Sequence, residues 1–269
     1  MEYSFISPNK YKECSEETDL IVSEVAAEYK ISKADVRYQH VINHLYSIAK
    51  PTFTICFSNY PSTLKVNYPE LNRFNYLLNG SLGLNVTCSD VRYEKPSFVR
   101  TVSGLTLFVD SEPILFLNSS TDQSWNHVIF TILHELMHIY DSKNSSEYQK
   151  AAALIGNYKY SQSAYPSALQ PLEDETNVKA SLLCAPSCSF KDHLLKQTFY
   201  ELSTTYSMSW AALHNRIFNF FYYELGWDKY SAKNAVFAFR NADLDKIRIV
   251  REKIKNDSID FSKTLYLPF

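Results

Sequence analysis

Residues 125–140 carry the pattern that most limits how this chain can fold. Apolar side chains recur there at helical spacing, and at about 100° per residue they fall within about 80° of one line along the helix. The apolar positions are Trp125, Val128, Ile129, Ile132, Leu133, Leu136, Ile139 and Tyr140. His127, Thr131, His134 and His138 fall on the opposite side. We therefore predict a helix buried along one face, with its histidines facing a cleft or solvent and with N-caps available at residues 119–122.

Within this predicted helix, His134-Glu135-Leu136-Met137-His138 has the form H-E-x-x-H. Two histidines four residues apart share a helix face with Cβ atoms roughly 5 to 6 Å apart, so both imidazoles can bind one metal ion. The glutamate between them is suited to act as a general base. With 7 histidines in the chain, a chance match is expected in roughly one such chain in a hundred. His40 and His44 share the spacing without a carboxylate, which favours a structural interpretation of that pair.

A catalytic zinc site has three protein ligands and leaves its fourth position to water, so a third ligand must come from elsewhere. The acidic run Glu173-Asp174-Glu175 opens the next predicted carboxylate-rich helix. Glu173 and Glu175 lie about 200° apart around that helix, so only one of them can reach the metal. Complementing the helix dipole would by itself account for one or two of the three acids.

The order and spacing of these residues resemble the ImmA/IrrE family of metallopeptidases over about residues 104–217. The matching residues are Phe130, Thr131, His134, Glu135, His138, Glu173, Asn177, Ala180, Leu182, Leu183 and Pro186. Tyr206, Ser207, Met208, Ser209, Ala211, Leu213 and Arg216 resemble the family's downstream helical segment. The chain departs from the family pattern at Met137, where glycine is usual, and in having no basic residue just before Phe130.

The resemblance implies a zincin-like fold in which His134, His138 and Glu173 bind one zinc ion per chain and Glu135 is the general base. It also implies an intracellular zinc-dependent endopeptidase that cleaves a helix-turn-helix repressor or a similar regulator, as in phages, mobile elements and stress responses. The competing hypothesis is a non-catalytic module that binds such a regulator or senses a signal, with zinc in a structural role. The intact Glu135 argues against that alternative, because a structural site has no use for a base.

Peptide hydrolysis also requires a donor to the oxyanion that forms on the scissile carbonyl. The candidates for oxyanion or substrate contacts are His127, Tyr140, Tyr165 and Asn177. The helical pattern places Tyr140 on the buried stripe, which favours His127 or a tyrosine of residues 158–165. Residues 141–171 are rich in Tyr and Ser, and they are predicted to form either a lid or substrate groove at the site or an ordinary surface loop.

Composition and charge argue against other classes of function. The net charge of -2 and the pI near 6.4 give no basic surface, so we expect no direct nucleic-acid binding. No apolar run has the length of a membrane span and residues 1–10 lack signal-peptide features, which predicts a cytoplasmic protein without membrane association. The 5 cysteines are scattered, so we expect reduced thiols, and Cys184 and Cys188 lack partners for a zinc site.

The predicted fold class is α+β, with a small antiparallel or mixed sheet, the H-E-x-x-H helix and a mostly helical C-terminal part. Residues 52–57 and 84–118 are expected to be extended, with a hairpin turn at residues 110–113. Helices are predicted over residues 16–29, 69–79 with Gly80 as C-cap, 145–155, 173–184, 190–202 and 244–256. We divide the chain into an N-terminal α/β region (1–100), a zinc peptidase core (101–187) and a helical C-terminal region (188–269).

Overall fold

A computed structural model describes residues 6–57, 69–86, 89–92, 103–110, 112–118, 124–144 and 170–256. Its contacts divide the chain into two compact units, one from residues 39–176 and the other joining residues 1–38 to residues 177–269. The described residues form an α+β fold that is mostly helical with a small mixed sheet, which confirms the predicted class. The predicted three-part division follows sequence order, whereas the contact-based units join segments that are distant in sequence.

The helices are named in chain order. They are α1 (Pro8–Tyr29), α2 (Tyr38–Ala49), α3 (Pro69–Asn75), α4 (Trp125–Asn144), α5 (Gln170–Cys184), α6 (Ser187–Lys196), α7 (Phe199–Thr205), α8 (Trp210–Asn219), α9 (Lys229–Arg240) and α10 (Leu244–Asn256). A 3-10 turn spans Lys33–Asp35, and π-helical turns span Tyr76–Ser81 and Phe220–Glu224. Within the described residues, no helix combines the length and the apolar character that crossing a membrane requires.

The sheet belongs to the unit formed by residues 39–176. Its strands are β1 (Thr52–Phe57), β2 (Ser89–Arg92), β3 (Gly104–Val109) and β4 (Glu112–Asn118), in the spatial order β2-β1-β4-β3. β1 runs parallel to both β2 and β4, while β3 and β4 form the predicted antiparallel hairpin. Asp110 in the hairpin turn has a φ of 51°, a left-handed conformation that aspartate tolerates better than most residues.

One face of this sheet is buried against α4. Directly paired residues on neighbouring strands share a face, and the register places the following residues together on it: Phe53, Ile55, Gly104, Thr106, Leu115 and Leu117. The four apolar members are buried almost completely. The other two residues of this face are not large and apolar: Thr106 is polar and Gly104 has no side chain. Both belong to β3, which lies at the edge of the described sheet. The buried face therefore ends in a polar and a small residue where it meets α4.

Helix α4 is the predicted H-E-x-x-H helix. It begins at Trp125, after Ser124, whose Oγ accepts a hydrogen bond from the His127 amide at 3.3 Å. The predicted N-caps at residues 119–122 lie outside the described residues. The histidine side of the helix is less open than the pattern suggested, because β3 covers it: Thr131, His134 and Glu135 are at most 9% exposed, while His138 is half-buried.

The second unit is helical throughout its described residues. Arg216 and Glu224 form an ion pair in its core, with Nη1 and Oε1 2.7 Å apart and both side chains fully buried. The Tyr11 hydroxyl donates to the same carboxylate oxygen at 2.8 Å. Arg216 also donates to the Ala185 carbonyl at 3.0 Å and to Ser187 Oγ at 2.9 Å. These bonds satisfy a charge that would otherwise be costly to bury.

Three predicted helices differ from the structure. The helix predicted over residues 16–29 begins much earlier, at Pro8. The single helix predicted over residues 190–202 is wrong, because Thr198 caps a new helix there in a capping box with Glu201. The helix predicted to reach residue 79 ends at Asn75 and continues as the π-helical turn, so Gly80 lies inside that turn and is not a C-cap. Helix α10 has the predicted bounds. The helix predicted over residues 145–155 lies outside the described residues.

Candidate metal centre

Three side chains of the 39–176 unit converge on one point. His134 Nε2 lies 3.1 Å from Glu173 Oε2, and His138 Nε2 lies 3.1 Å from Glu173 Oε1. The two histidine Nε2 atoms are 3.0 Å apart. Helix α4 supplies both histidines from consecutive turns, and the first turns of α5 supply the carboxylate. The structure therefore brings together the three residues expected as ligands.

The donor set and its spacing fit a metal ion. With bonds of about 2.0 to 2.2 Å, nitrogen and oxygen donors around a tetrahedral ion lie about 3.3 Å apart. The observed separations of 3.0 and 3.1 Å differ from that value by only a few tenths of an ångström. Without a cation, the two Nε2 atoms and the two oxygens of Glu173 bring four sets of lone pairs close together, and only protons on the histidine rings can bridge them. His134, His138 and Glu173 can thus hold a metal ion.

The charges at the site favour a cation. Burial raises the pKa of Glu173, but hydrogen bonds with His134 and His138 outweigh burial and hold the pKa of this carboxyl far below its usual range. Burial lowers the pKa of His138, yet the hydrogen bond and charge of Glu173, with the charges of Glu135 and Asp141, raise it overall. A carboxylate that stays ionised among imidazoles presents negative charge where a metal would bind.

Thr176 connects α5 to His138, the second candidate ligand from α4. Its hydroxyl donates to the Leu172 carbonyl at 2.9 Å, and its Oγ1 lies 3.5 Å from His138 Nδ1. Since the hydroxyl proton is used by Leu172, Thr176 can accept from Nδ1–H, which leaves the lone pair of His138 on Nε2. That tautomer is the one a metal requires at this position. By contrast, the buried Nδ1 of His134 has no hydrogen-bond partner among the described residues.

Glu135 lies between the two histidines and is 5% exposed. The Thr106 hydroxyl on β3 lies 2.8 Å from its Oε2 and 3.3 Å from its backbone carbonyl. Gly104, two residues earlier on the same strand face, leaves no room for a side chain: an added Cβ would lie 3.1 Å from Glu135 Oε1 and closer still to the Thr131 methyl. The predicted general base is therefore held by the edge strand of the sheet.

The structure answers the open choice between Glu173 and Glu175, since Glu173 is the acid that contacts both histidines. Met137, the departure from the family pattern, is fully buried and so contributes to the core. Among the described residues, no other group of three His, Cys, Asp or Glu side chains converges in this way. Cys184 is a buried free thiol, and Cys188 is an exposed one.

None of the three described candidates for oxyanion contacts is one of the side chains that converge on the candidate metal site. His127 lies on the same face as His134 but two turns earlier, about 10 Å along the helix, and its Nε2 is 2.7 Å from Ser103 Oγ. Burial lowers the pKa of His127, a shift that favours the neutral form of the ring. Tyr140 and Asn177 are half-buried on α4 and α5. Tyr165 lies outside the described residues. The oxyanion donor stays a prediction.

Sequence reasoning missed Thr106, Gly104, Thr176 and Asp141 as neighbours of the site. Asp141 is 3% exposed and lies one turn after His138, so the same helical spacing that paired the histidines signals it. The alternation of Gly104 and Thr106 with Leu105 and Leu107 is a signal for β3, because small and polar residues occupy the positions that face the helix. Thr176 lies three residues after Glu173 on α5, so helical spacing places it on the same side as the predicted ligand, although it does not specify the contact with His138.

Comparisons with family models, with curated proteins and with solved structures each gave no match for this chain.

Proposed function

We propose that this protein is a zinc-dependent endopeptidase. The observation that carries the proposal is the convergence of His134, His138 and Glu173 at 3.0 to 3.1 Å, with a buried glutamate between the two histidines on the same helix. Two histidines and one carboxylate with an adjacent glutamate are the donor set of a hydrolytic zinc site. Zinc, the zincin-like relationship and the peptidase activity are all parts of this proposal.

The number of ligands favours a catalytic over a structural site. Structural zinc sites have four protein ligands, whereas catalytic sites have three and keep one position for water or substrate. The described residues supply three. Glu135 adds an acid that a structural site would not need. The binding or sensor module remains the alternative, and it requires that this buried carboxylate has no chemical role.

The chain's own residues supply the remaining chemistry. His134, His138 and Glu173 would hold the zinc ion, which when bound polarises a carbonyl and lowers the pKa of water. The Glu135 carboxylate is the group that accepts the proton of the attacking water and returns it to the leaving amine. The Thr106 contact holds that carboxylate, and the Thr176 contact holds the His138 ring in the metal-binding tautomer. Peptide hydrolysis needs no other acid or base.

The substrate class follows from the resemblance to ImmA/IrrE metallopeptidases. We propose that the substrate is an intracellular regulatory protein, such as a helix-turn-helix repressor, cleaved at an extended segment. The net charge of -2 gives no reason to expect direct DNA binding, so regulation would act through the repressor itself.

The test is an unbiased cleavage assay. The zinc-loaded full chain is incubated with a proteome-derived peptide library and with a panel of purified helix-turn-helix repressors, and new termini are identified by mass spectrometry. We expect cleavage by wild type and none by Glu135→Gln, since the amide cannot accept the proton. Glu252→Gln is the matched control, because it makes the same substitution at an exposed glutamate of α10.

Two results would count against the proposal. If zinc-loaded wild type leaves every peptide and repressor intact, the peptidase function is wrong and the binding module is favoured. If wild type and Glu135→Gln cleave equally, the activity comes from a contaminant or another site. Retained repressor binding by Glu135→Gln without cleavage would support the proposed roles of both the ligands and the base.

A further inference from the structure

We propose that Thr106 is the positioning residue for the general base, and that it determines which oxygen of Glu135 takes the proton. This inference rests on the proposed function and adds to it a residue from outside the H-E-x-x-H helix. The Thr106 Oγ1 to Glu135 Oε2 distance of 2.8 Å is that of a strong hydrogen bond to a carboxylate.

Burial makes this contact specific. Thr106 is 6% and Glu135 5% exposed, so water competes weakly for either partner. The threonine hydroxyl has one proton to donate, and the backbone carbonyl of Glu135, at 3.3 Å, is the more distant acceptor. The proton is therefore directed to Oε2. A β-branched side chain on a strand has few rotamers, which fixes the donor as well as the acceptor.

Gly104, two residues before Thr106 on the same face of β3, also limits the positions that the Glu135 carboxylate can take. A Cβ at residue 104 would lie 3.1 Å from both Cγ and Oε1 of Glu135, so the Glu135 side chain packs directly on the β3 backbone. Thr106 and Gly104 thus contact the same carboxylate, one through Oε2 and the other beside Oε1. The edge strand fixes the orientation of the glutamate without adding a charged group.

The two carboxylate oxygens consequently differ. Oε2 accepts the Thr106 hydrogen bond, and protonating it would weaken that bond. Oε1 has no hydrogen bond from the residues that the structure describes, so it is the oxygen that receives the proton from water and later returns it. Thr106 keeps that oxygen in one orientation through both transfers, which is the pre-organisation that general-base catalysis needs.

The first test compares Thr106→Val with Thr106→Ser. Valine keeps the branched shape and loses the hydroxyl, whereas serine keeps the hydroxyl. For a peptide that wild type cleaves, we expect Thr106→Val to lower kcat by about ten- to a hundredfold, with KM and zinc content within about twofold of wild type. Thr106→Ser should recover most of kcat. Thr54→Val is the matched control, because Thr54 is a buried threonine on the opposite face of the same sheet.

The second test does not depend on peptide cleavage. Acetohydroxamic acid is a small zinc ligand that binds as its anion, so it releases its acidic proton on binding, and a carboxylate held beside the metal favours binding by taking that proton. Its dissociation constant for the zinc-loaded protein is measured by calorimetry. We expect Glu135→Gln and Thr106→Val to weaken binding by about tenfold or more, and Thr106→Ser and Thr54→Val to change it by less than about twofold.

The two tests separate this inference from the proposed function. If wild type cleaves no peptide while acetohydroxamate binding depends on both Glu135 and Thr106, the peptidase function is wrong and the positioning role stands. If Thr106→Val keeps wild-type kcat and acetohydroxamate affinity, the positioning role is wrong whatever the enzyme cleaves. Equal losses in the valine and serine variants would indicate a packing role only and would also contradict the proposal.

Discussion

Glu173 contacts His134 across 39 residues of sequence, its Oε2 3.1 Å from the histidine Nε2. The second carboxylate oxygen lies at the same distance from His138, so one glutamate contacts both imidazoles of the H-E-x-x-H motif. Each oxygen of this carboxylate therefore lies beside a different imidazole nitrogen, and a single cation between them could interact with all three side chains. The position of Glu173 on the first turn of α5 therefore brings residues of two helices into one group that could hold a metal ion.

Removing a ligand should remove the metal. We expect about one zinc ion per chain in wild type, and little in His138→Ala or Glu173→Ala, because two donors cannot hold zinc against a chelator. The measurement is elemental analysis of protein purified without added metal. His127→Ala should keep full metal content, since His127 bonds Ser103 and lies two turns away. Metal retained in Glu173→Ala would overturn the assignment of the third ligand.

The candidate ligands were predictable because the spacing of residues within a single helix identifies them. A spacing of four on a helix determines that His134 and His138 share a face, and the acids that open α5 narrow the third ligand to Glu173 or Glu175. The contact of Thr106 with Glu135 was not predictable, because it depends on which strand of the sheet packs against α4. The sheet order, with β1 between β2 and β4, is likewise set by contacts between distant residues that no local pattern encodes.

Without metal, the site should make stability depend on pH in two directions. The pKa of Glu173 is lowered on folding, so its contribution is present above the ordinary carboxyl pKa and is lost as the pH falls below about 4.5. The pKa of His138 is raised, so its contribution is present below about 6.5 and is lost as the pH rises through the folded value. The stabilising ion pair should be strongest between these limits.

The measurement is the Tm of chelator-treated protein from pH 4 to pH 9, compared with Glu173→Gln. We expect the Tm difference between wild type and variant to be largest near pH 5 to 6 and to shrink on both sides. A difference that stays constant across this range would mean that the Glu173 contacts with the histidines do not form in the metal-free protein.

Thr176→Val should weaken metal binding without removing a ligand. In the metal-binding tautomer of His138, the hydroxyl oxygen of Thr176 would accept from Nδ1–H, and removing such a partner typically costs 10- to 100-fold in metal affinity. Because the contact is long at 3.5 Å, we expect the lower end, about tenfold, measured by competition with a chromogenic chelator. Thr176→Ser should bind zinc as wild type does. Equal affinity of the valine variant would show that another group fixes the His138 tautomer.

Gly104→Ala should destabilise the protein, chiefly through a clash between the new methyl and the Cγ2 methyl of Thr131, with tighter contacts to Glu135 in addition. Overpacking of this kind typically costs about 1 to 3 kcal/mol, and the free energy of unfolding from urea titration measures it. Thr131→Ser removes the opposing methyl, so it should recover part of the loss in the Gly104→Ala background while changing little on its own. If the two substitutions are additive, Gly104 and Thr131 are not in contact and the packing of β3 on α4 at Glu135 is different from that described.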